Sequence, residues 1–311
     1  MKVFITGVNG QLGHDAAIEF YKRGYHVLCS DITDQYAGVV TDTIIKNLPY
    51  IKLDITKADE VETVLTQAMP NVVIHCAAWT AVDAAEYFEN RDKVRAINVF
   101  GTQYIADVCK KIGSTMTYIS TDYVFDGQGD KPWMPDDKNY SPINVYGQTK
   151  LEGEFAVVNT LEKFFIVRIA WVFGVNGNNF IKTMLRVGQT HKEVRVVCDQ
   201  IGTPTYTYDL ARLLVDINET DKYGYYHATN EGGYISWYDF TKEIYRQATI
   251  LGIYDYSKVI VNPVTTEEYG LSKAARPFNS RLDKSKLSEK GFTPLPDWKD
   301  AVSRYLKIIE I

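Results

Sequence analysis

Short apolar runs alternate with amphipathic stretches through the first half of the chain. Val3–Thr6 is an apolar run stopped by Gly7, and Gln11–Arg23 carries apolar residues at helical spacing up to Gly24. Further strands are expected at His26–Ser30, Tyr50–Leu53, Val72–Cys76, Thr115–Ser120 and Phe164–Val172. Between them the pattern predicts helices at Ala58–Ala68 (closed by Pro70), within Asp83–Cys109 as one long segment or two, and at Val145–Leu161. Alternation of this kind predicts a parallel sheet with helices on both faces.

The periodicity weakens after Phe173. Helices are expected at Phe180–Val187, Thr207–Ile217, Tyr238–Thr249, Ser285–Lys290 and Trp298–Ile308, and strands at Val194–Cys198, Tyr225–Ala228 and Val259–Val261. The longest connections are Asp31–Pro49 and Asp126–Asn144, lengths that often serve function in a compact domain.

The first turn adds chemistry. Thr6-Gly7-Val8-Asn9-Gly10-Gln11-Leu12-Gly13 sets G-x-x-G-x-x-G between a strand and a helix. Without Cβ atoms such a loop turns tightly, approaches a pyrophosphate and aims first-turn N–H groups at it. The fold expected is therefore α/β, a Rossmann-type doubly wound parallel sheet with a smaller C-terminal α/β substrate lobe. Residues 1–173 and about 199–230 would form the dinucleotide domain. Residues about 174–198 and 231–311 would form the lobe. Asp31 ends the second strand, where a carboxylate accepts from both ribose hydroxyls of NAD and repels a 2′-phosphate. NADH is thus preferred over NADPH. Asp54 and Ile55 end the third strand, either beside the adenine or as a helix cap.

Composition narrows the partners. The chain has 311 residues, 45% of them apolar, enough for a large core. A net charge of -5 with no Lys/Arg run argues against nucleic acid and anionic membranes. Cys29, Cys76, Cys109 and Cys198 form no C-x-x-C pair, so buried reduced thiols are expected and no metal set is read. No apolar run approaches the ~18 residues of a membrane span. The chain opens directly on a strand, so no signal peptide is expected and the location expected is the cytoplasm. A homodimer is the default assembly on symmetry statistics.

Tyr-x-x-x-Lys recurs at Tyr238/Lys242, Tyr254/Lys258 and Tyr269/Lys273, so spacing alone selects nothing. Only Tyr146/Lys150 follows a strand ending in Ser120-Thr121 inside the glycine-loop domain. One helical turn apart, the two share a face. Tyr146 would donate the proton in a carbonyl reduction, and Lys150 would stabilise the phenolate and reach the nicotinamide ribose. The Thr121 hydroxyl, or that of Ser120, would hold the substrate oxygen as charge develops.

These residues resemble the extended short-chain dehydrogenase/reductases, and within them the dTDP-4-dehydrorhamnose reductase family. The likeness runs through Gly7–Gly13, 77–86 (AAWTAVDAAE), Ile97-Asn98, 120–127, 146–154, 168–173 (RIAWVF), 199–205 (DQIGTPT) and 276–283 (RPFNSRLD). It implies hydride transfer from NAD(P)H to C4 of a dTDP-4-keto-6-deoxy-L-sugar, with Thr121, Tyr146 and Lys150 catalytic. The implied cofactor set is Gly7, Asn9, Gly10, Gln11, Leu12, Gly13, Asp31, Asp54, Ile55, Ala77, Ala78, Thr80, Tyr146 and Lys150. The implied substrate set is Thr80, Val82, Thr121, Tyr123, Trp171 and Arg276. For Val82 and Trp171 core packing is the other reading, and for Arg276 a structural role. Asn98 would hold a kinked helix and the proton network. A dehydratase would need Glu after Thr-Asp, where this chain has Tyr123. Other readings are a different nucleotide-sugar reductase, a 4-epimerase, or a non-catalytic regulatory subunit resembling that of methionine adenosyltransferase.

Overall fold

The computed structural model describes residues 1–39 and 43–309. Among these, seven strands form one parallel sheet. Its order is Gly224–His227, Phe164–Ile169, Thr115–Thr121, Val72–His75, Lys2–Thr6, His26–Asp31, Tyr50–Lys52. Lys2–Thr6 pairs with His26–Asp31 on one side and Val72–His75 on the other. The chain thus winds outward in both directions from Lys2–Thr6. The order reverses there, which opens a crevice at the carboxyl ends of the strands.

The alternation of side chains explains the layering. Val3, Ile5, Val72 and Ile74 face one way, into a core shared with the helices Gln11–Lys22 and Thr207–Asn218. Phe4, Val73, Met116 and Ile166 face the other, into a core shared with Ala58–Ala68, Thr102–Ile112 and Val145–Thr160. A strand covered on both faces must be apolar at every position, as Val72–His75 nearly is. A third cluster lies outside the sheet. It joins Phe180–Thr190, Glu193–Val197, Trp237–Ile250 and Trp298–Leu306 through Leu185, Val196, Ile244 and Val302.

Three boundaries differ from expectation. The sixth strand stops at Ile169, and the chain resumes as a two-residue strand at Val172–Phe173. Trp171 lies between them at φ 51, a left-handed conformation costly for a bulky side chain. The segment expected to be one or two helices is five pieces: Val82–Ala85, a 3-10 turn at Phe88–Asn90, Arg91–Arg95, a π-helical turn at Ala96–Gly101, and Thr102–Ile112. The last strand runs Ile260–Val264 and includes Pro263, tolerated because the strand has a neighbour on one side only, Glu193–Val197. The short helix Thr43–Asn47, inside the long second connection, had no sequence signal.

Candidate active site

A cleft of about 980 Å³ opens at the carboxyl ends of the strands. Its cofactor end is made largely of backbone. Gly7 has φ 73, and a Cβ there would sit 2.6 Å from the Ala77 nitrogen. A Cβ on Gly13 would collide with the Gly7 carbonyl. The loop can therefore press against Ala77 and lead directly into the first helix only with these residues. Gly7, Gly10, Gln11, Leu12 and Gly13 line the cleft, as do Asp31, Asp54, Ile55, Ala77, Ala78 and Thr80. A cradle that any Cβ would fill fits a pyrophosphate.

Asn9 is not among the lining residues. Its side chain ties the long second connection to the glycine loop, donating to Thr33 Oγ1 at 2.7 Å and accepting from Ala37 N at 2.9 Å. The Asp31 carboxylate accepts from Asn9 N at 2.9 Å and Ile32 N at 2.8 Å, so it is fixed at the rim. Asp54 accepts from both the nitrogen and the hydroxyl of Thr56, closing the turn before the helix at Ala58. Beneath the loop, Thr6 Oγ1 meets His75 Nδ1 at 2.8 Å. Complete burial pushes His75 down to about 3, so the ring is neutral.

The centre of the cleft holds the chemistry. Strand 115–121 ends at Thr121, the N-cap of a short turn. Asn144 caps the helix Val145–Thr160 by accepting from Gly147 N at 2.7 Å, which sets Tyr146 in its first turn and Lys150 one turn on. Thr121, Tyr146 and Lys150 all line the cleft. The Thr121 hydroxyl is near enough to the Tyr146 phenol to favour its charged form, but burial outweighs this and holds the phenol above its ordinary range. Tyr146 is therefore protonated at neutral pH. Lys150 Nζ donates to the Ile119 carbonyl at 2.7 Å and lies 4.0 Å from the Tyr118 ring centroid. Burial pulls Lys150 down to about 7, while Glu154, one turn further on, pulls it back up.

Ser120 lines the cleft but is committed elsewhere. Its hydroxyl donates to Glu154 Oε1 at 2.5 Å. Glu154 is fully buried and forms a two-point pair with Arg168, at 2.8 Å from Nε and 2.7 Å from Nη2. Arg168 donates onward to the Pro135 carbonyl and Tyr140 hydroxyl, fastening the 126–144 connection beneath the site. Of the two hydroxyls, only Thr121 meets Tyr146. Asn98 sits in the π-helical turn; it accepts from Trp79 N at 2.8 Å and donates to Thr149 Oγ1 at 3.1 Å. A widened turn of this type lets one side chain brace two elements.

The end of the cleft away from the glycine loop is made of side chains from distant segments. Thr80, Val82, Tyr123 and Trp171 line it. Arg276 does not; it donates to Tyr123 Oη at 3.2 Å and pairs with Asp83 at 2.5 Å, so it clasps the rim through Tyr123. Sequence reasoning missed Trp237, which lines the cleft and stacks on Trp171 with centroids 3.7 Å apart. Its Nε1 donates to Gln200 Oε1 at 3.2 Å. The only local signal was a large aromatic just after the cap Ser236, indistinguishable from a core residue. Lys93, Gly177 and Asn178 also line the cleft and had no signal.

A crevice at the sheet's switch point, a glycine cradle and a Thr–Tyr–Lys set define a dinucleotide-dependent oxidoreductase of the short-chain type. Comparison with known proteins narrows the class. The family model described as RmlD substrate binding domain matches residues 1–311. The dTDP-4-dehydrorhamnose reductase of Aggregatibacter actinomycetemcomitans is 37% identical over 308 residues, 97% of each chain. A solved dTDP-4-dehydrorhamnose reductase of Clostridium acetobutylicum matches with a TM-score of 0.87 at 39% identity over 99% of both chains. One of Bacillus anthracis, solved in complex with NADP, gives 0.85 at 38% identity over 98% of both. The chain belongs to the dTDP-4-dehydrorhamnose reductase family of the extended short-chain dehydrogenase/reductases.

Proposed function

We propose that the protein reduces the C4 ketone of a dTDP-4-keto-6-deoxy-L-hexose to give dTDP-L-rhamnose. The observation that carries this reading is the convergence of Thr121, Tyr146 and Lys150 on one cleft that also holds the glycine cradle. A bound nicotinamide cofactor supplies the hydride. Gly7, Gly10, Gly13 and the first turn of the helix at Gln11 hold its pyrophosphate, Asp31 its ribose, and Asp54 and Ile55 its adenine end. Tyr146 rests protonated and gives that proton to the substrate oxygen. The Thr121 hydroxyl orients this oxygen. Lys150, held down to about 7 by burial, lies one helical turn from the phenol, so its charged form is favoured as the phenolate develops. Thr80, Val82, Tyr123, Trp171 and Trp237 hold the sugar nucleotide, and Arg276 steadies Tyr123.

The intact Thr–Tyr–Lys set argues against a binding-only regulatory role, and Tyr123 in place of Glu argues against a dehydratase. Asp31 supports NADH over NADPH. We assign 1–173 and about 199–230 to the dinucleotide and about 174–198 and 231–311 to the substrate; the sheet cores draw mainly on the first set and the third cluster on the second, with Leu287, Phe292 and Leu295 packed on the sheet core and Phe173 and Tyr206 in the third cluster. Four unpaired cysteines suit a reducing compartment such as the cytoplasm. The assembly state to test by sedimentation is a homodimer.

The test is loss of reduced-nicotinamide absorbance on adding the keto-sugar, generated in situ, with NADH and NADPH in parallel. Turnover with the dTDP-sugar supports the reading. Tight cofactor binding without turnover would redirect it to another keto-sugar or to the regulatory role.

A further inference from the structure

The Thr121 hydroxyl has a single proton and two groups that want it. The reaction proposed above, on which this inference rests, uses that proton to hold the substrate oxygen. In the structure the hydroxyl lies 2.9 Å from Asp122 Oδ1. A carboxylate can only accept, so an ionised Asp122 takes the Thr121 proton and leaves lone pairs facing the cleft. A neutral Asp122 reverses the bond. The acid then donates to Thr121 Oγ1, and the Thr121 proton is free for the substrate.

The surroundings favour the acid. Asp122 lines the cleft and is 2% exposed. Among the described residues its second oxygen, Oδ2, has no hydrogen-bond partner. An unpartnered buried carboxylate oxygen is far costlier than the carbonyl oxygen of a neutral acid. Burial pushes the carboxyl up to about 6, against the opposing pull of the Ser280 and Thr121 hydroxyls and the N–H groups of its own turn. Ser280 is near enough to favour the charged form but lacks bonding geometry toward Oδ2. The other titratable groups facing Asp122 are Tyr123 on the same turn and Tyr146 on the catalytic helix, both phenols held neutral by burial. The Arg276 guanidinium is turned to Tyr123 and Asp83.

We propose that Asp122 is a positioning residue that works as the neutral acid, donating to Thr121 Oγ1 so that the Thr121 proton points at the substrate oxygen. Asp122 keeps its own proton through the cycle, and the proton delivered to the product is that of Tyr146.

Asp122→Asn carries an amide that donates to Thr121 Oγ1 at every pH. A group titrating near 6 makes wild-type kcat fall about eight-fold between pH 5.5 and 7.0. Asp122→Asn should lose that fall and keep only the limb belonging to Lys150. Asp122→Ala, with no donor, should lower kcat about ten-fold across the range. Parallel profiles for wild type and Asp122→Asn would overturn the proposal. Carbon NMR of carboxyl-labelled aspartate in the full chain reads the same group without turnover. A carboxyl titrating near 6, and missing from Asp122→Asn, is expected. If every aspartate other than Asp15 titrates below 5, the proposal fails whatever the substrate. Wild type that titrates as expected but reduces no dTDP-keto-sugar would sink the substrate assignment alone.

Discussion

The two ends of the cleft are built from different materials. At the cofactor end the contact surface is backbone, shaped by Gly7 and Gly13 within one strand–turn–helix. At the substrate end it is side chains drawn from 80–82, 123, 171 and 237. A pyrophosphate is the same in every dinucleotide, so a backbone cradle fixed by local spacing is enough to hold it. A sugar nucleotide must be told from its relatives, which calls for placed side chains on separately movable segments.

Between the ends stands the helix Val145–Thr160 with Tyr146 and Lys150, and the largest expected effect lies there. Tyr146→Phe should lower kcat about 10³-fold, within the range of a lost general acid, while the dissociation constant for NADH by fluorescence titration stays within two-fold. Equal losses in both would merge the two ends functionally and contradict the division.

The floor below that helix is a buried ion pair. Glu154→Gln leaves Arg168 uncompensated and should cost about 4 kcal/mol in denaturant unfolding, and it should also lower Lys150 further by removing the charge that pulls it up. A loss below ~1 kcal/mol would mean that water reaches Arg168.

Asp15 offers a pH-dependent test away from the reaction. Burial raises it to about 7, against the Thr207 hydrogen bond at 2.5 Å. Its folded pKa lies above its unfolded value, so the native state binds the extra proton. The Asp15 contribution to stability is full below pH 4 and falls as pH rises to 7, by roughly 3–4 kcal/mol. Lys150, depressed to about 7, acts above 7, whereas Asp122 adds a like fall up to about 6 and the neutral His75 an opposing rise below 6.5, so Asp15 is read from the difference between wild type and variant. In urea titrations the stability of wild type relative to Asp15→Asn should fall by roughly 3–4 kcal/mol between pH 4 and 7; a difference that stays constant with pH would contradict the assignment.

Smaller effects separate the two ends directly. Trp237→Ala removes one plane of the stacked pair and should raise KM for the dTDP-sugar about ten-fold with no change for the cofactor. Asp31→Ala should do the reverse, shifting the NADH/NADPH preference toward NADPH several-fold while sparing the sugar. If Trp237→Ala weakened NADPH as much as the sugar, the cleft would not be divided as described.

The same contrast explains what could be read from the chain alone. The glycine loop, Asp31 and the Tyr146–Lys150 pair are local, and their spacing or context carried through to the cleft. The sheet was legible because strands covered on both faces must be apolar throughout. The π-helical turn at Ala96–Gly101 was not, since it follows from Asn98 bracing Trp79 and Thr149, residues 19 and 51 positions away. The break at Trp171 had no signal because a tryptophan at φ 51 is held by its packing on Trp237, not by its own propensity. Trp237 itself looked like one more core aromatic. Arg276 could not be placed from sequence, because its partners Asp83 and Tyr123 lie 193 and 153 residues away.

The central claim is hydride delivery to C4 with the proton supplied by Tyr146. The measurement that tests it most directly uses NADH deuterated at the transferring position, with the dTDP-4-keto-6-deoxy-L-sugar and proton NMR of the product. One deuterium at C4 of dTDP-L-rhamnose, formed by wild type and at least 10²-fold more slowly by Tyr146→Phe, is the predicted result. A product without label at C4, or equal rates for the two proteins, would contradict it.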